Sequence, residues 1–328
     1  MKKRTAAVGT VLVLLLAAAI YCGLRYGSVD LSFSRIVEAM RGNDKSARVI
    51  LLDLRLPRML SSLLGGAGLA CAGLILQTIT DNDLCAPNII GVNSGAGLAV
   101  MITLSLFPMA WRYLPLSAFL GAVVVTFVVL SISRFGGSYE QKSTLVLAGV
   151  AVSAVMSAGI SFLSIKYPDV LSSYTAFSVG GFSGVKMQEL PLPAAIITAG
   201  IILSYIFAPK IGLLSLGDDT ASSLGVSVRR IFILSIIIAS ALSAAVVSFA
   251  GLLGFVGLIV PHIVRRLVGS DFRRCIPFSA GFGAVLCAFS DVIGRVIIAP
   301  NELPAGIIMS LIGAPFFIFL IAKRRRAR

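Results

Sequence analysis

The sequence predicts an all-α integral membrane protein with about ten transmembrane helices. Hydrophobic residues make up 57% of its 328 residues, and charged residues make up only 13%. A soluble globular chain carries about twice that share of charge. The apolar runs, such as residues 8–24 and 231–250, are long enough to cross a hydrocarbon core of about 30 Å as helices, which satisfy their backbone hydrogen bonds internally.

The predicted spans follow one another along residues 1–328 and form a single transmembrane domain. They lie at residues 7–25, 58–79, 88–107, 114–133, 144–165, 190–208, 231–250, 252–268, 276–298 and 304–322. An even number of spans places both termini on one side of the membrane. With both termini inside, about 17 of the 28 Lys and Arg residues lie in inner segments and about 11 in outer ones, as expected for cytoplasmic termini.

The segment between the first and second spans is the most basic outer segment. It contains Arg25, Arg35, Arg41, Lys45, Arg48, Arg55 and Arg58. Its four acidic residues neutralise part of this charge, so the segment is either a solvated loop or a surface that meets an acidic partner. Within it, Leu31, Ile36, Val37 and Met40 recur at roughly helical spacing, which predicts a short amphipathic helix on the outer surface.

Basic residues also mark both ends of the chain. Residues 2–4 precede an apolar run that ends without a small-x-small cleavage site, so we expect a retained first helix rather than a signal peptide. The basic end at 323–328 predicts an anchor on anionic lipid rather than a nucleic-acid site. The five cysteines show no metal-ligand spacing and need no disulfide.

Two glycine-rich stretches, residues 67–77 and 250–262, resemble each other. Each is followed by a short polar stretch and then by a proline, Pro87 or Pro277, at the start of the next span. Transporter folds are often built from repeated helix sets, so helices 2–5 and 7–10 are a possible internal repeat. Close helix packing also selects small residues and is the alternative explanation.

The sequence offers no catalytic or energy-transducing site. It contains no Gly-x-x-x-x-Gly-Lys-Ser/Thr phosphate loop, so we do not expect this chain to hydrolyse ATP. No paired carboxylates, metal cluster or nucleophile with a base are apparent, which argues against an enzyme. An ion-coupled secondary transporter would use a titrating carboxylate in the membrane, and only Asp291 and Glu302 come near that role.

Five segments, taken in order, resemble the FecCD-type permease subunits of bacterial ABC importers. They are residues 55–58, 82–96, 216–226, 254–265 and 291–316. Asp83 stands where that family more often has proline, and Cys85 stands where a small residue is commoner. The family carries iron-siderophore complexes, haem or cobalamin, and an iron-siderophore complex is the cargo we expect first.

The resemblance implies a set of partners and a location. A ten-helix permease of this type lies in the bacterial cytoplasmic (inner) membrane and pairs with a second copy of itself or with a paralogous permease. It binds two cytoplasmic ATPase subunits and receives its ligand from an extracytoplasmic binding protein. It needs no cofactor of its own, since ATP and Mg are bound by the ATPase.

The polar inner loop at residues 209–230, named here the coupling loop, is expected to contain two short helices. Asp218, Asp219 or Thr220 is suited to capping one of them and Gly225 to ending it. The resemblance implies that this loop sits in a groove of the ATPase, although a simple connector is the alternative. The expected coupling residues are Leu216, Gly217, Asp218, Asp219, Ala221, Leu224, Gly225 and Val226.

Arg55, Arg58 and Arg295 fall near the outer ends of their spans. The resemblance implies that these arginines pair with acidic residues of the binding protein, and a guanidinium is suited to this because it grips a carboxylate with two parallel hydrogen bonds. Asp291 and Arg295 are four residues apart, so they alternatively neutralise each other within the chain.

The remaining candidates concern the pathway. Gln77 lies at the inner end of the second span, and Asn93 and Ser94 lie near the start of the third. The resemblance places a gate at the loop entering the fifth span, which corresponds to Gln141, Lys142, Ser143 and Thr144. His262 follows Pro261 in an apolar span, where we expect a kinked helix with a hydrogen-bonded histidine rather than a metal ligand.

Overall fold

The computed structural model describes residues 2–27, 30–133 and 141–326. This part of the chain is helical and contains no β-strand, which confirms the predicted all-α membrane fold. The helices are α1 Lys2–Arg25, α2 Phe33–Arg41, α3 Lys45–Val49, α4 Leu56–Thr80, α5 Val92–Leu106, α6 Leu114–Ser133, α7 Gln141–Lys166, α8 Leu171–Val179, α9 Pro191–Ile206, α10 Ala208–Leu213, α11 Asp218–Ser223, α12 Val228–Ala250, α13 Val256–Val268, α14 Phe272–Val296 and α15 Ala305–Arg326.

The predicted number of ten spans is approximate. Among the described residues, six continuous helical segments are long and apolar enough to cross a membrane: Lys3–Arg25, Lys45–Thr80, Pro108–Ser133, Lys142–Lys166, Val228–Ala250 and Phe272–Val296. Two of them are longer than the α-helices given above, because a π-helical stretch at Ile50–Arg55 joins α3 to α4 and a 3₁₀ stretch at Pro108–Tyr113 precedes α6. A seventh candidate span is formed by α9 and the segment Ala208–Leu216, which meet at a bend of 62°. Helix α5 and the Ala305–Phe319 part of α15 are shorter apolar segments.

The expected span at residues 252–268 is only partly helical. The chain leaves the helix after Ala250, and α13 begins at Val256. Gly251 and Phe255 both have positive φ, at 69° and 65°, and this conformation is uncommon for a residue other than glycine. The 13 residues of α13 rise about 20 Å, which is shorter than a hydrocarbon core.

Three helix breaks meet in the fold, at residues 180–185, 251–255 and 297–304. The Gly181 amide donates to the Ala250 carbonyl at 2.8 Å, and the Gly306 amide donates to the Gly180 carbonyl at 3.1 Å. The breaks therefore satisfy part of the hydrogen bonding of each other's backbone, as buried irregular backbone requires. They border a cavity of about 380 Å³ together with residues such as Arg58 and Phe177.

The predicted amphipathic helix before the second span is confirmed as α2. The Ser32 side chain accepts from the Arg35 amide at its start, while Leu31 and Ile36 are buried in a small outer cluster. Met40 is 74% exposed and does not belong to that buried face. At the start of α3, hydrogen bonds from the Ala47 amide and the Arg35 guanidinium hold the pKa of the Asp44 carboxyl below its usual value.

Helix α4 lies at the centre of the bundle because its glycines let the backbones of neighbouring helices approach closely. A Cβ added at Gly66 would lie 2.0 Å from the Gly283 carbonyl oxygen of α14. A Cβ at Gly73 would lie 2.0 Å from the Gly257 carbonyl oxygen of α13. Gly73 and Gly257 belong to the two similar stretches, which therefore pack against each other, while the internal repeat itself stays a prediction.

Candidate functional site

A buried charge cluster lies where α4 begins and α14 ends, on the side that the sequence predicts to face outward. The Arg58 Nε atom lies 3.0 Å from each carboxylate oxygen of Asp291, and Arg58 Nη1 lies 2.6 Å from Glu302 Oε2. Arg295 Nη2 lies 3.1 Å from Asp291 Oδ2. We call Arg58, Asp291, Arg295 and Glu302 the outer charge cluster; its two positive and two negative groups balance. Asp291 is only 1% exposed, whereas the Glu302 side chain is 30% exposed.

Arginines also hold the end of α1 against this cluster. Arg55 Nη1 donates to the Leu24 and Arg25 carbonyls at 2.6 Å each. Arg295 Nη1 donates to the Gly23 carbonyl at 3.2 Å. The last carbonyls of a helix have no partner within the helix, and cations near them are favourable, so these arginines stabilise the C-terminal end of α1.

The three predicted docking arginines are therefore brought together, and the intrachain pairing of Asp291 with Arg295 is present. Sequence reasoning missed that Arg58 also binds the carboxylate of Asp291. All three arginines border an outer cleft of about 920 Å³, with Glu302 and residues 183–188 on its wall. Their role in docking a binding protein stays a prediction.

A second polar network lies at the opposite, C-terminal end of α4, which is the predicted inner end. Gln77 Nε2 donates to the Gly257 carbonyl at 3.0 Å, and Arg265 Nη1 donates to Gln77 Oε1 and to Asp83 Oδ1 at 2.8 Å each. Gln77 is 2% exposed, so in this structure its amide joins α4 to α13. Asp83, at the position where the resembling family more often has proline, thus supplies the carboxylate that Arg265 binds.

Asn93 and Ser94, the other predicted pathway residues, lie in the first turn of α5. Both are half-buried, and Ser94 Oγ is hydrogen-bonded to Ser153 Oγ of α7 at 3.0 Å. This contact joins two apolar helices through a polar pair. The assignment of Gln77, Asn93 and Ser94 to a pathway stays a prediction.

The coupling loop contains the two expected short helices, α10 and α11, but its capping differs from the prediction. Gly217 occupies the N-cap of α11 without a side-chain hydrogen bond, and Asp218 and Asp219 lie in the first turn. Neither aspartate nor Thr220 is the cap because Gly217 already holds that position. At the other end Gly225 has a φ of 80°, as expected for a glycine that ends a helix.

Three apolar residues in and beside α11 differ in their exposure. Ala221 is fully buried, whereas Leu216 and Leu224 are each 59% exposed. The small side chain fits against the bundle, and the two large ones point away from it. The coupling loop therefore presents two large apolar side chains to its surroundings.

The residues of the predicted gate lie next to this loop. Lys142 Nζ is 3.0 Å from Asp218 Oδ1, Ser143 is exposed and Thr144 is half-buried. Gln141 begins α7, but its side chain lies outside the described residues. A cavity of about 330 Å³ is lined by Lys142 and residues 216–220.

His262 is half-buried in α13, directly after Pro261. Its ring meets the Phe316 ring edge to face, with centroids 6.4 Å apart. Within the described ranges, no group of three or more His, Cys, Asp and Glu residues is arranged to hold a metal ion.

The sequence matches the FecCD transport family over residues 14–323. The chain is a member of this family. It is 37% identical to the Fe(3+)-citrate import system permease protein YfmE of Bacillus subtilis, across 92% of this chain and 90% of that protein. It is 33% identical to the hemin transport system permease protein HmuU of Yersinia pestis, across 92% and 91% of the two chains.

Solved structures agree with this assignment. A chain of a metal-chelate type ABC transporter in an inward-facing conformation superposes with a TM-score of 0.84 at 29% identity, over 96% of this chain and 98% of that one. PsaBC from Streptococcus pneumoniae gives a TM-score of 0.62 at 18% identity, over 87% and 94%, and supports the fold alone. This FecCD protein is therefore a multi-pass membrane permease of the ABC transporter type.

Proposed function

We propose that this FecCD permease moves a ferric siderophore complex from an extracytoplasmic binding protein into the cytoplasm, driven by ATP hydrolysis in partner subunits. The main support is the family match across residues 14–323. Relatives of comparable similarity are named as permeases for Fe(3+)-citrate, iron(3+)-hydroxamate and ferric enterobactin. These three cargoes share ferric iron held by oxygen ligands of a small chelator.

Haem import is the second candidate. HmuU and the IsdF protein of Staphylococcus aureus, which are named for hemin and heme-iron transport, resemble this chain at 33% and 34% identity. These identities are close to those of the siderophore permeases, so the cargo must be decided by experiment. Cobalamin import is a further alternative that rests on the resemblance to the wider family.

The assembly we propose has two permease chains, either two copies or this chain and a paralogue, and two ATPase subunits that bind ATP and Mg. The chain lies in the bacterial inner membrane with both termini in the cytoplasm. The exposed Leu216 and Leu224 of the coupling loop support a contact with the ATPase. Residues 141–144, beside that loop, narrow the cytoplasmic exit.

The outer cleft is the proposed docking surface for the binding protein. Arg55, Arg58 and Arg295 border it, and acidic residues of the partner would meet them there. Ion-coupled transport is less well supported. The two carboxylates suited to it, Asp291 and Glu302, are already engaged by arginine, so a coupled cation would have to compete with a guanidinium.

Transport by a reconstituted complex tests the proposal. The permease, its ATPase and its binding protein are placed in proteoliposomes, and uptake of ferric citrate, a ferric hydroxamate, a ferric catecholate, haemin and cobalamin is compared. We expect ATP-dependent uptake of at least one ferric siderophore and little uptake of haemin or cobalamin. Uptake of haemin alone would favour the second candidate, and uptake driven by an ion gradient without the ATPase would exclude an ATP-driven importer.

A further inference from the structure

An ion pair joins the start of α7 to the coupling loop. Lys142 Nζ lies 3.0 Å from Asp218 Oδ1, and the two side chains are 26% and 33% exposed. Lys142 is the second residue of α7, and Asp218 is the first residue of α11. The pair therefore links the first turn of a long apolar helix to the first turn of a short surface helix.

This contact crosses a cavity between the start of α7 and the coupling loop. The cavity of about 330 Å³ has Lys142 on one side and residues 216–220 on the other. Within the described ranges, the pair is the one hydrogen bond or ion pair that joins α7 to residues 208–227. The polar contact between α11 and the start of α7 is therefore made at Lys142.

Helix α7 in turn contacts α5 and the turn before it. Ser153 Oγ is hydrogen-bonded to Ser94 Oγ of α5 at 3.0 Å. A Cβ added at Gly149 would lie 2.2 Å from the Ile89 carbonyl oxygen, so the backbone of α7 touches the turn before α5. A shift at the first turn of α7 therefore acts on a helix that is already packed against α5.

We propose that Lys142 and Asp218 are a positioning pair that transmits movement of the coupling loop to the cytoplasmic start of α7. The inference rests on the proposed function, in which the ATPase moves that loop. A helix that spans 26 residues moves largely as a unit, so displacing its first turn shifts its whole length. A part-exposed ion pair contributes little to stability, so its loss changes coupling more than folding.

A charge exchange tests this pair in the complete transporter. The permease, ATPase and binding protein are reconstituted, and the amount of ferric citrate transported per ATP hydrolysed is measured. Lys142→Glu and Asp218→Lys each place like charges together, and we expect each to lower this ratio by about two- to fivefold, the range of an exposed pair. The double variant Lys142→Glu/Asp218→Lys restores the attraction and should restore the ratio.

The matched control moves the compensating charge by one residue. In Lys142→Glu/Asp219→Lys, the new lysine stands at the residue after Asp218, and Asp218 still faces a like charge at residue 142. The ratio of cargo transported to ATP hydrolysed should therefore stay low. Melting temperatures of all variants should remain near that of the wild type, because a part-exposed ion pair contributes little to stability.

The outcomes separate this inference from the proposed function. Single variants with a wild-type ratio, or an exchange variant without recovery in a complex that assembles and transports, would overturn the positioning pair alone. A wild-type permease that does not assemble with an ATPase would overturn the proposed function and, with it, the inference.

Discussion

Arg58 binds two carboxylates whose surroundings differ. Asp291 lies one helix away in α14 and is almost completely buried, whereas Glu302 belongs to the break before α15 and is partly exposed. Removing one member of a buried ion pair leaves an uncompensated charge inside the protein, whereas a partly exposed pair contributes little. We therefore expect Asp291 to stabilise the fold and Glu302 to contribute little to stability.

Replacing Asp291 with Asn should destabilise the permease strongly. The substitution keeps the size of the side chain but leaves Arg58 and Arg295 without their shared carboxylate, at an expected cost of about 3–5 kcal/mol. The melting temperature of the purified protein in detergent measures the effect. Glu302→Gln is the matched control and should lower the melting temperature much less; equal effects would contradict the different roles.

Replacing Glu302 with Gln should tighten docking of the binding protein. Glu302 accepts a hydrogen bond from Arg58 Nη1 at the wall of the outer cleft. It therefore competes for Arg58 with any carboxylate of the partner. Removing a partly exposed competitor of this kind should raise affinity by up to about fivefold. The affinity is measured with the reconstituted transporter over a series of salt concentrations.

If Glu302 only stabilises the fold, the change in affinity for the binding protein should have the opposite sign. In that case Glu302→Gln would loosen the outer break and weaken docking. Docking that is unchanged by the substitution and insensitive to salt would show that these arginines serve the fold alone, since contacts between partly exposed charges are screened by salt.

The residues of this cluster illustrate what local sequence can predict. The four-residue spacing of Asp291 and Arg295 places them on one helix face, so their pairing was foreseeable. Arg58 reaches Asp291 across the bundle, and no local spacing encodes that contact. Gln77 is a similar case: a polar residue at a span end indicated a pathway, but its partners Gly257 and Arg265 became visible only in three dimensions.

At the scale of elements, the bundle depends on glycines at helix crossings. The backbone of α4 approaches α13 at Gly73 and α14 at Gly66 so closely that a Cβ would meet a carbonyl oxygen. In lipid there is no hydrophobic drive between helices, so close packing of this kind carries much of the association.

Replacing Gly73 with Ala should therefore separate α4 from α13. The added Cβ would lie 2.0 Å from the Gly257 carbonyl oxygen, and backbone yields less easily than a side chain, so we expect a loss of about 1–3 kcal/mol or more. Gly9→Ala in α1 is the control, because its nearest neighbour is the Phe278 ring at 4.0 Å. Melting temperatures that fall equally for both variants would contradict this account.

Apolar length predicted which segments are helical but did not predict where the helices break. Residues 252–268 are as apolar as a span, yet the chain turns at Gly251 and Phe255. The turn is stable because the amide of Leu252 donates to the carbonyl of Phe177 in another element. The short helix α8 was missed for a related reason, since its nine residues are too few to stand out from the neighbouring spans.

At the scale of the whole molecule, the candidate sites fall into an outer group and an inner group joined by α4. The outer charge cluster includes Arg58 near the start of α4, and Gln77 lies near its end. The inner group also includes the coupling loop, whose exposed leucines have no counterpart to pack against within the described chain. In the proposed function, α4 would therefore connect the side that meets the binding protein with the side that meets the ATPase.

Leu224 lies on the surface that we expect to meet the ATPase. Leu224 is 59% exposed on the coupling loop, so Leu224→Asp should leave the bundle folded while removing an apolar contact and adding a charge at the interface. We expect association with the ATPase to weaken by about tenfold, the effect of losing one important interface side chain. Co-purification and light scattering measure this association, with two copies of each chain expected for the wild type.

Ser222→Asp is the matched control. Ser222 is an exposed polar neighbour, so this variant introduces the same charge without removing a leucine and should bind the ATPase nearly normally. If both variants weaken association equally, charge alone is responsible; if neither does, the ATPase contacts this permease elsewhere.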